Sequence, residues 1–137
     1  MRKRLWLFAP ILIGGCQMDT LTCGDIPAVI GTWRYTGVEQ SPMHATMIGT
    51  LSISSVSCSA IVGELDVQQT DALGTTQRRA GPVTGQVIDA VSFRLDAFLE
   101  TTPRQHIVAL RGDSLSGSWV SVDGTQAVTG TFSARHQ

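Results

Sequence analysis

From residue 31 onward the chain alternates. Met47, Gly49, Leu51 and Ile53 fall on one side of a two-residue repeat, and Ile61, Gly63, Leu65 and Val67 repeat the arrangement with Glu64 and Asp66 between them. Val91, Phe93, Leu95 and Ala97 alternate with Ser92, Arg94 and Asp96; Val128, Gly130, Phe132 and Ala134 alternate with Thr129, Thr131, Ser133 and Arg135. Successive side chains of a strand point to opposite faces, so this period marks strands with one buried face. No stretch after Pro27 holds a helical period beyond about a turn. The pattern predicts eight strands, near residues 31–38, 45–54, 59–69, 78–88, 90–99, 104–111, 115–122 and 126–135, with the segment from Gln68 to Pro82 the most polar and turn-rich. Most connections are short and carry Gly, Asp, Ser or Pro, which suits sequential hairpins. An eight-stranded antiparallel meander hides its edges by closing on itself. The expected fold class is therefore all-β, a single eight-stranded antiparallel up-and-down barrel.

A second periodicity lies within the first. Gly-x-apolar recurs at Gly31-Thr32-Trp33, Gly49-Thr50-Leu51, Gly63-Glu64-Leu65, Gly85-Gln86-Val87, Gly117-Ser118-Trp119 and Gly130-Thr131-Phe132. Glycine weakens a strand, so its return on inward faces implies tight bends or close backbone approach, both of which a closed barrel needs. The first unit, Gly31-Thr32-Trp33, resembles the Gly-x-Trp that opens the first strand of lipocalins and avidins, the calycin-like barrels. The resemblance covers about 105 residues as topology and only three as motif; further lipocalin motifs, such as the Thr-Asp-Tyr block, are missing. It implies that Trp33 plugs one end of the barrel and that a basic residue late in the last strand, here Arg135, stacks on it. Such cation–π packing contributes about 0.5 to 2 kcal/mol. The residues themselves equally allow Trp33 to be an ordinary core side chain.

The first thirty residues do something else. Arg2, Lys3 and Arg4 precede an apolar run from Leu5 to Ile13, too short to span a bilayer, which needs about 20 residues. A charged start, a short apolar centre and small exit residues mark a secretory signal. The exit, Ile13-Gly14-Gly15-Cys16, resembles the bacterial lipobox, with Ile13 and Gly14 departing from its usual Leu and Ala or Ser. That resemblance implies lipidation of Cys16 by acyl chains such as palmitate, and several chains hold a membrane stably. Gln17 in place of aspartate implies, in a host with two membranes, the outer membrane facing the periplasm. The expected organisation is a signal peptide over 1–15, a lipidated tether over 16–30 and a barrel over 31–137.

Beyond residue 15 the chain holds seven arginines, no lysine and eleven acids, a net charge of −4. No basic stripe exists, so nucleic acid is not an expected partner. Cys23 and Cys58 remain, an even number in an exported chain, and are read as a disulfide against the alternative of two free thiols. A loop of that length would stabilise by about 4 kcal/mol in the chain-entropy model.

The candidate chemistry is thin. Gly112-Asp113-Ser114-Leu115 resembles the nucleophile block of GDSL-type hydrolases, but it stands near the end of the chain instead of the beginning. There is no asparagine anywhere for an oxyanion hole, and His136 has Ser133 where the family's Asp-x-x-His aspartate should be. A serine without a positioned base is not activated. Arg111-Gly112-Asp113 spells an adhesion tripeptide, yet Gly112-Asp113 is also ordinary turn chemistry between two strands. His44, His106 and His136 are too dispersed for a metal motif, and neither Asp66 with Asp71 nor Asp89 with Asp96 makes a convincing carboxylate pair. Arg78 and Arg79 read as solvated loop charges. No enzyme, metal or cofactor is expected.

Two functions remain. The first is a membrane-anchored, non-catalytic accessory lipoprotein that touches another envelope protein through its loops or barrel face. The alternative is a lipocalin-like carrier of a small apolar ligand, for which Leu51, Leu65, Phe93, Trp119 and Phe132 are the candidate lining residues. An eight-stranded barrel is just wide enough to be filled by side chains or to hold one small ligand. The expected inward set mixes bulky Trp33, Phe93, Trp119 and Phe132 with many glycines, so side-chain volume alone does not decide. An interior void under about 100 Å³ would remove the carrier reading. The lipobox makes its own prediction: cells fed a labelled fatty acid should place the label on the wild-type protein and leave a Cys16→Ser variant unlabelled. An unlabelled wild type would remove the anchor.

Overall fold

The computed structural model describes residues 26–123 and 125–137, and they form eight strands with no helix. In chain order these are β1 (Gly31–Ser41), β2 (Ala45–Val56), β3 (Ile61–Asp71), β4 (Thr76–Asp89), β5 (Ser92–Ala97), β6 (Arg104–Arg111), β7 (Ser114–Asp123) and β8 (Gln126–His136). Each pairs antiparallel with the next, and β1 pairs with β8, so the sheet closes into an up-and-down barrel with no free edge. The predicted strands all form, with ends shifted by a few residues. The polar stretch after Gln68 also pairs: β4 begins at Thr76, and Arg78 and Arg79 lie within it instead of in a loop. Pro82 is tolerated mid-strand because β5 pairs with β4 only from Val83 onward, so no ladder bond to β5 is lost there. Val91, expected on the inward face of the fifth strand, is exposed in the β4–β5 turn.

The inward glycines have a cause in this closure. A Cβ on Gly49, Gly63, Gly85, Gly117 or Gly130 would overlap a carbonyl oxygen of the adjacent strand, belonging respectively to Asp66, Ser52, Arg94, Ile107 and Val38. These are the places where the sheet coils tightly enough to close. Three of the large inward rings also lie directly across the ladder from a glycine. Tyr35 faces Gly49, Phe132 faces both Gly37 and Gly117, and Trp119 faces Gly130. Large and small residues so alternate around the wall, which leaves the rings room in the lumen.

The barrel has two different ends. At the first, Trp33 is buried and its indole Nε1 donates to the Val29 carbonyl at 2.9 Å. Val29 and Pro27 are buried too, so this part of the expected tether packs onto the domain as a cap. At the other end, the turns at 41–45, 71–76 and 97–104 surround a mouth where inward side chains become polar. The predicted signal peptide, Cys16 and Cys23 lie outside the described residues. Cys58, in the β2–β3 turn, is disulfide-bonded, and its pairing with Cys23 remains an expectation.

Gly49→Ala tests the closure. Its methyl group would sit against the Asp66 carbonyl, and the expected cost is about 2 kcal/mol or more in urea unfolding. A loss below about 0.5 kcal/mol would show that the strands can move apart.

Candidate functional site

The inward face of β6 departs from the apolar rule. Arg104, His106 and Val108 point into the barrel, while Ile107 is half exposed on the outside. His106 Nδ1 lies 2.9 Å from the Arg104 carbonyl, which can only accept, so Nδ1 carries the proton. His106 Nε2 is then the acceptor for the Tyr35 hydroxyl at 3.0 Å. Burial holds the imidazole neutral, its pKa pushed down to about 4, with the Arg104 charge adding in the same direction. Burial likewise raises the Tyr35 hydroxyl well above its ordinary range. Aromatic rings enclose the pair. Phe132 stacks on Tyr35 at 5.5 Å between centroids and meets His106 edge-on at 5.0 Å.

Arg104 links this interior to the polar mouth. Its guanidinium lies 4.8 Å above the Trp119 ring and donates to Met47 Sδ at 2.8 Å, Gln69 Oε1 at 3.0 Å and Glu100 Oε1 at 3.1 Å. Glu100 also meets Arg79 at 3.4 Å, so one carboxylate is shared between two guanidinium groups. Nearby, the Glu39 carboxyl is held above its usual range by burial; Arg104 pulls it back and Glu100 pushes it further up. Arg79 Nε and Trp119 Nε1 are buried donors without an acceptor.

Almost no space is left inside. The cavity bounded by Tyr35, Leu51, Leu65, Val83, Leu95, Ala97, His106 and Phe132 holds about 10 Å³, at or below the room one water needs. The candidate lining residues Leu51, Leu65, Phe93, Trp119 and Phe132 are all buried, but they pack as core. A larger cavity of about 250 Å³ opens at the mouth instead, lined by Glu39, Pro42, Met43, His44, Ala45, Gln69, Asp71, Thr75, Gln77 and Arg79.

Arg135 does not stack on Trp33. Phe132, Ala134 and His136 share the inward parity of β8, which sends Arg135 to the exposed outer face opposite Arg34. The partner of Trp33 is His136, whose ring meets the indole edge-on at 4.9 Å and 87°. Gly112 and Asp113 form the β6–β7 turn, Gly112 at φ +60°, and Ser114 begins β7. His44 lies at the mouth, His106 in the core and His136 beyond the Trp33 end. Among the described residues no three His, Cys, Asp or Glu side chains gather as metal ligands. Arg78 faces outward and pairs with Asp66 at 2.7 Å, whereas Arg79 faces inward. Sequence reading missed Tyr35, Arg104 and His106; the only signal was an inverted alternation, polar residues on the inward parity of β6.

No protein-family profile matches this chain, and no curated protein matches it. Solved structures do. It is similar to EF1p2_mFAP2b bound to DFHBI, with a TM-score of 0.62 at 15% identity over 79% of this chain and 93% of that one. A de novo designed fluorescence-activating β-barrel aligns with a TM-score of 0.55 at 17% identity over 79% and 93%. The S-type phycobiliprotein lyase CPES of Guillardia theta aligns with a TM-score of 0.51 at 12% identity over 80% and 88%. At such identities the likeness is one of fold alone, a closed antiparallel β-barrel.

The neutral interior histidine makes stability depend on pH. Unfolded His106 titrates near 6.5 and folded His106 near 4, so between these values the unfolded chain binds the extra proton. Stability therefore falls as pH drops through that window and flattens below it. His106→Gln keeps an acceptor near Tyr35 but cannot titrate. Between about pH 7 and about pH 4 the wild type should lose about 3 kcal/mol more unfolding free energy than this variant. Parallel losses in urea titrations would mean that His106 is protonated in the folded barrel.

Proposed function

We propose that this chain is a cell-envelope lipoprotein, anchored through Cys16, whose barrel is non-catalytic and works as an accessory by contact with another envelope component. The observation that supports this reading over the carrier reading is the interior cavity of about 10 Å³. Small-molecule pockets begin near about 300 Å³, so an apolar guest would have to displace Phe132, Leu51 or Leu65 from a packed core. EF1p2_mFAP2b binds DFHBI, and the shared architecture makes carriage the natural rival; here the rings opposite glycines occupy the lumen. With the described interior filled by side chains, the outer wall and the polar mouth are the working surfaces in this reading. The lipobox and Gln17 point to the outer membrane, facing the periplasm, in a host with two membranes.

Native mass spectrometry of the full-length protein from its own host separates the readings. The expected spectrum shows the polypeptide with its acyl anchor and no further apolar molecule. A second small apolar molecule released from the folded barrel would overturn the accessory reading in favour of carriage.

A further inference from the structure

The mouth of the barrel carries charges of both signs that are only partly paired. Glu39 on β1 and Asp71 on β3 share the inward parity of the wall and both pair across the ladder with Ala45 on β2. The small side chain between them leaves a gap bounded by two carboxyl groups, two strand spacings or about 10 Å apart at the backbone. Asp71 is fixed at the rim, its Oδ1 accepting from the Leu73 and Thr75 amides at 2.9 Å each. Glu39 makes no hydrogen bond or ion pair within the described residues. On the far side of the same cavity, Arg79 is poorly satisfied. One Nη donates to neutral Gln77 at 3.1 Å, the other meets the shared Glu100 only at 3.4 Å, and Nε has no acceptor. No hydrogen bond or ion pair joins Glu39 to Arg79: they stand three strand steps apart, on β1 and β4, and both line the cavity of about 250 Å³.

We propose that this mouth binds a compact zwitterion of amino-acid or dipeptide size, its ammonium between Glu39 and Asp71 and its carboxylate on the guanidinium of Arg79. A guanidinium with free donors suits a carboxylate, which can accept two parallel bonds. A simple anion would meet the carboxylates of Glu39 and Asp71 in the same cavity. A simple cation would meet Arg79 and, below it, Arg104. Only a molecule with both charges matches the two walls, and about 250 Å³ accommodates a body of amino-acid or dipeptide size. Pro42, Met43 and Ala45 supply the apolar contact for its body. This site goes beyond the accessory reading and is independent of lipidation.

The test uses the full-length, isotope-labelled protein and three probes: glycylglycine, acetate and ethylammonium. Glycylglycine should shift the amides of residues 39–45 and 69–79 saturably, with acetate and ethylammonium each at least about tenfold weaker. Glu39→Gln and Arg79→Gln should each weaken glycylglycine by about tenfold, while Arg78→Gln, on the outer face, should leave it unchanged. The proposal is overturned if glycylglycine gives no saturable shift, if either single-charge probe binds as tightly, or if Arg79→Gln binds like wild type. The wild-type probe panel decides even where a variant fails to fold.

Discussion

Everything in this molecule depends on closing the sheet between β1 and β8. Eight strands leave no unpaired edge once they close, but closure fixes the lumen to roughly the volume of the side chains that line it. Two requirements then fall on the same positions. The wall must coil tightly, bringing Gly49, Gly63, Gly85, Gly117 and Gly130 against a neighbour's carbonyl, and the lumen must have room for the rings. Glycine opposite Tyr35, Phe132 and Trp119 meets both. A side chain at Gly49, Gly117 or Gly130 would push the wall apart just where a ring needs the room.

The same constraint explains why so little space, about 10 Å³, is left among the described residues that line the lumen. Tyr35, His106, Phe132 and Trp119 mesh as one aromatic group, the imidazole accepting from the Tyr35 hydroxyl and donating to the Arg104 carbonyl. Arg104 closes that group from the mouth side by lying on Trp119 and spreading its donors over Met47, Gln69 and Glu100. Burying a charge is costly unless it is hydrogen-bonded, and those partners allow a guanidinium to serve as a stopper. The opposite end is closed by Trp33 with Val29 and His136. With both ends stopped, polar chemistry concentrates at the rim beyond Arg104, where inward positions reach water.

Most of the fold was legible in the alternation itself, because strand parity puts a residue inside or outside whatever it pairs with. Met47, Leu51, Ile53, Leu65, Phe93 and Ala134 lie inside as their spacing implies. Parity also shows why Arg135 fails as the partner of Trp33: it alternates with Ala134 and His136 and must face out. The candidate site was much less legible. On β6 the inward positions are Arg104 and His106 while Ile107 faces solvent, so hydrophobicity alone assigns that strand the wrong way round. Arg78 and Arg79 looked like adjacent loop charges, but one is an outer-face ion pair and the other lines the mouth.

The sequence by itself determined an all-β meander and its closure, since these follow from a local period and short turns. It also carries the resemblance to a lipobox, which lies in consecutive residues and needs no folding to be read. Only the tertiary structure decided which ring faces which glycine, how little space remains inside, and that Glu39, Asp71 and Arg79 surround one cavity. Those outcomes depend on register around a closed wall. Residues far apart in sequence become neighbours there through pairings that local pattern does not specify.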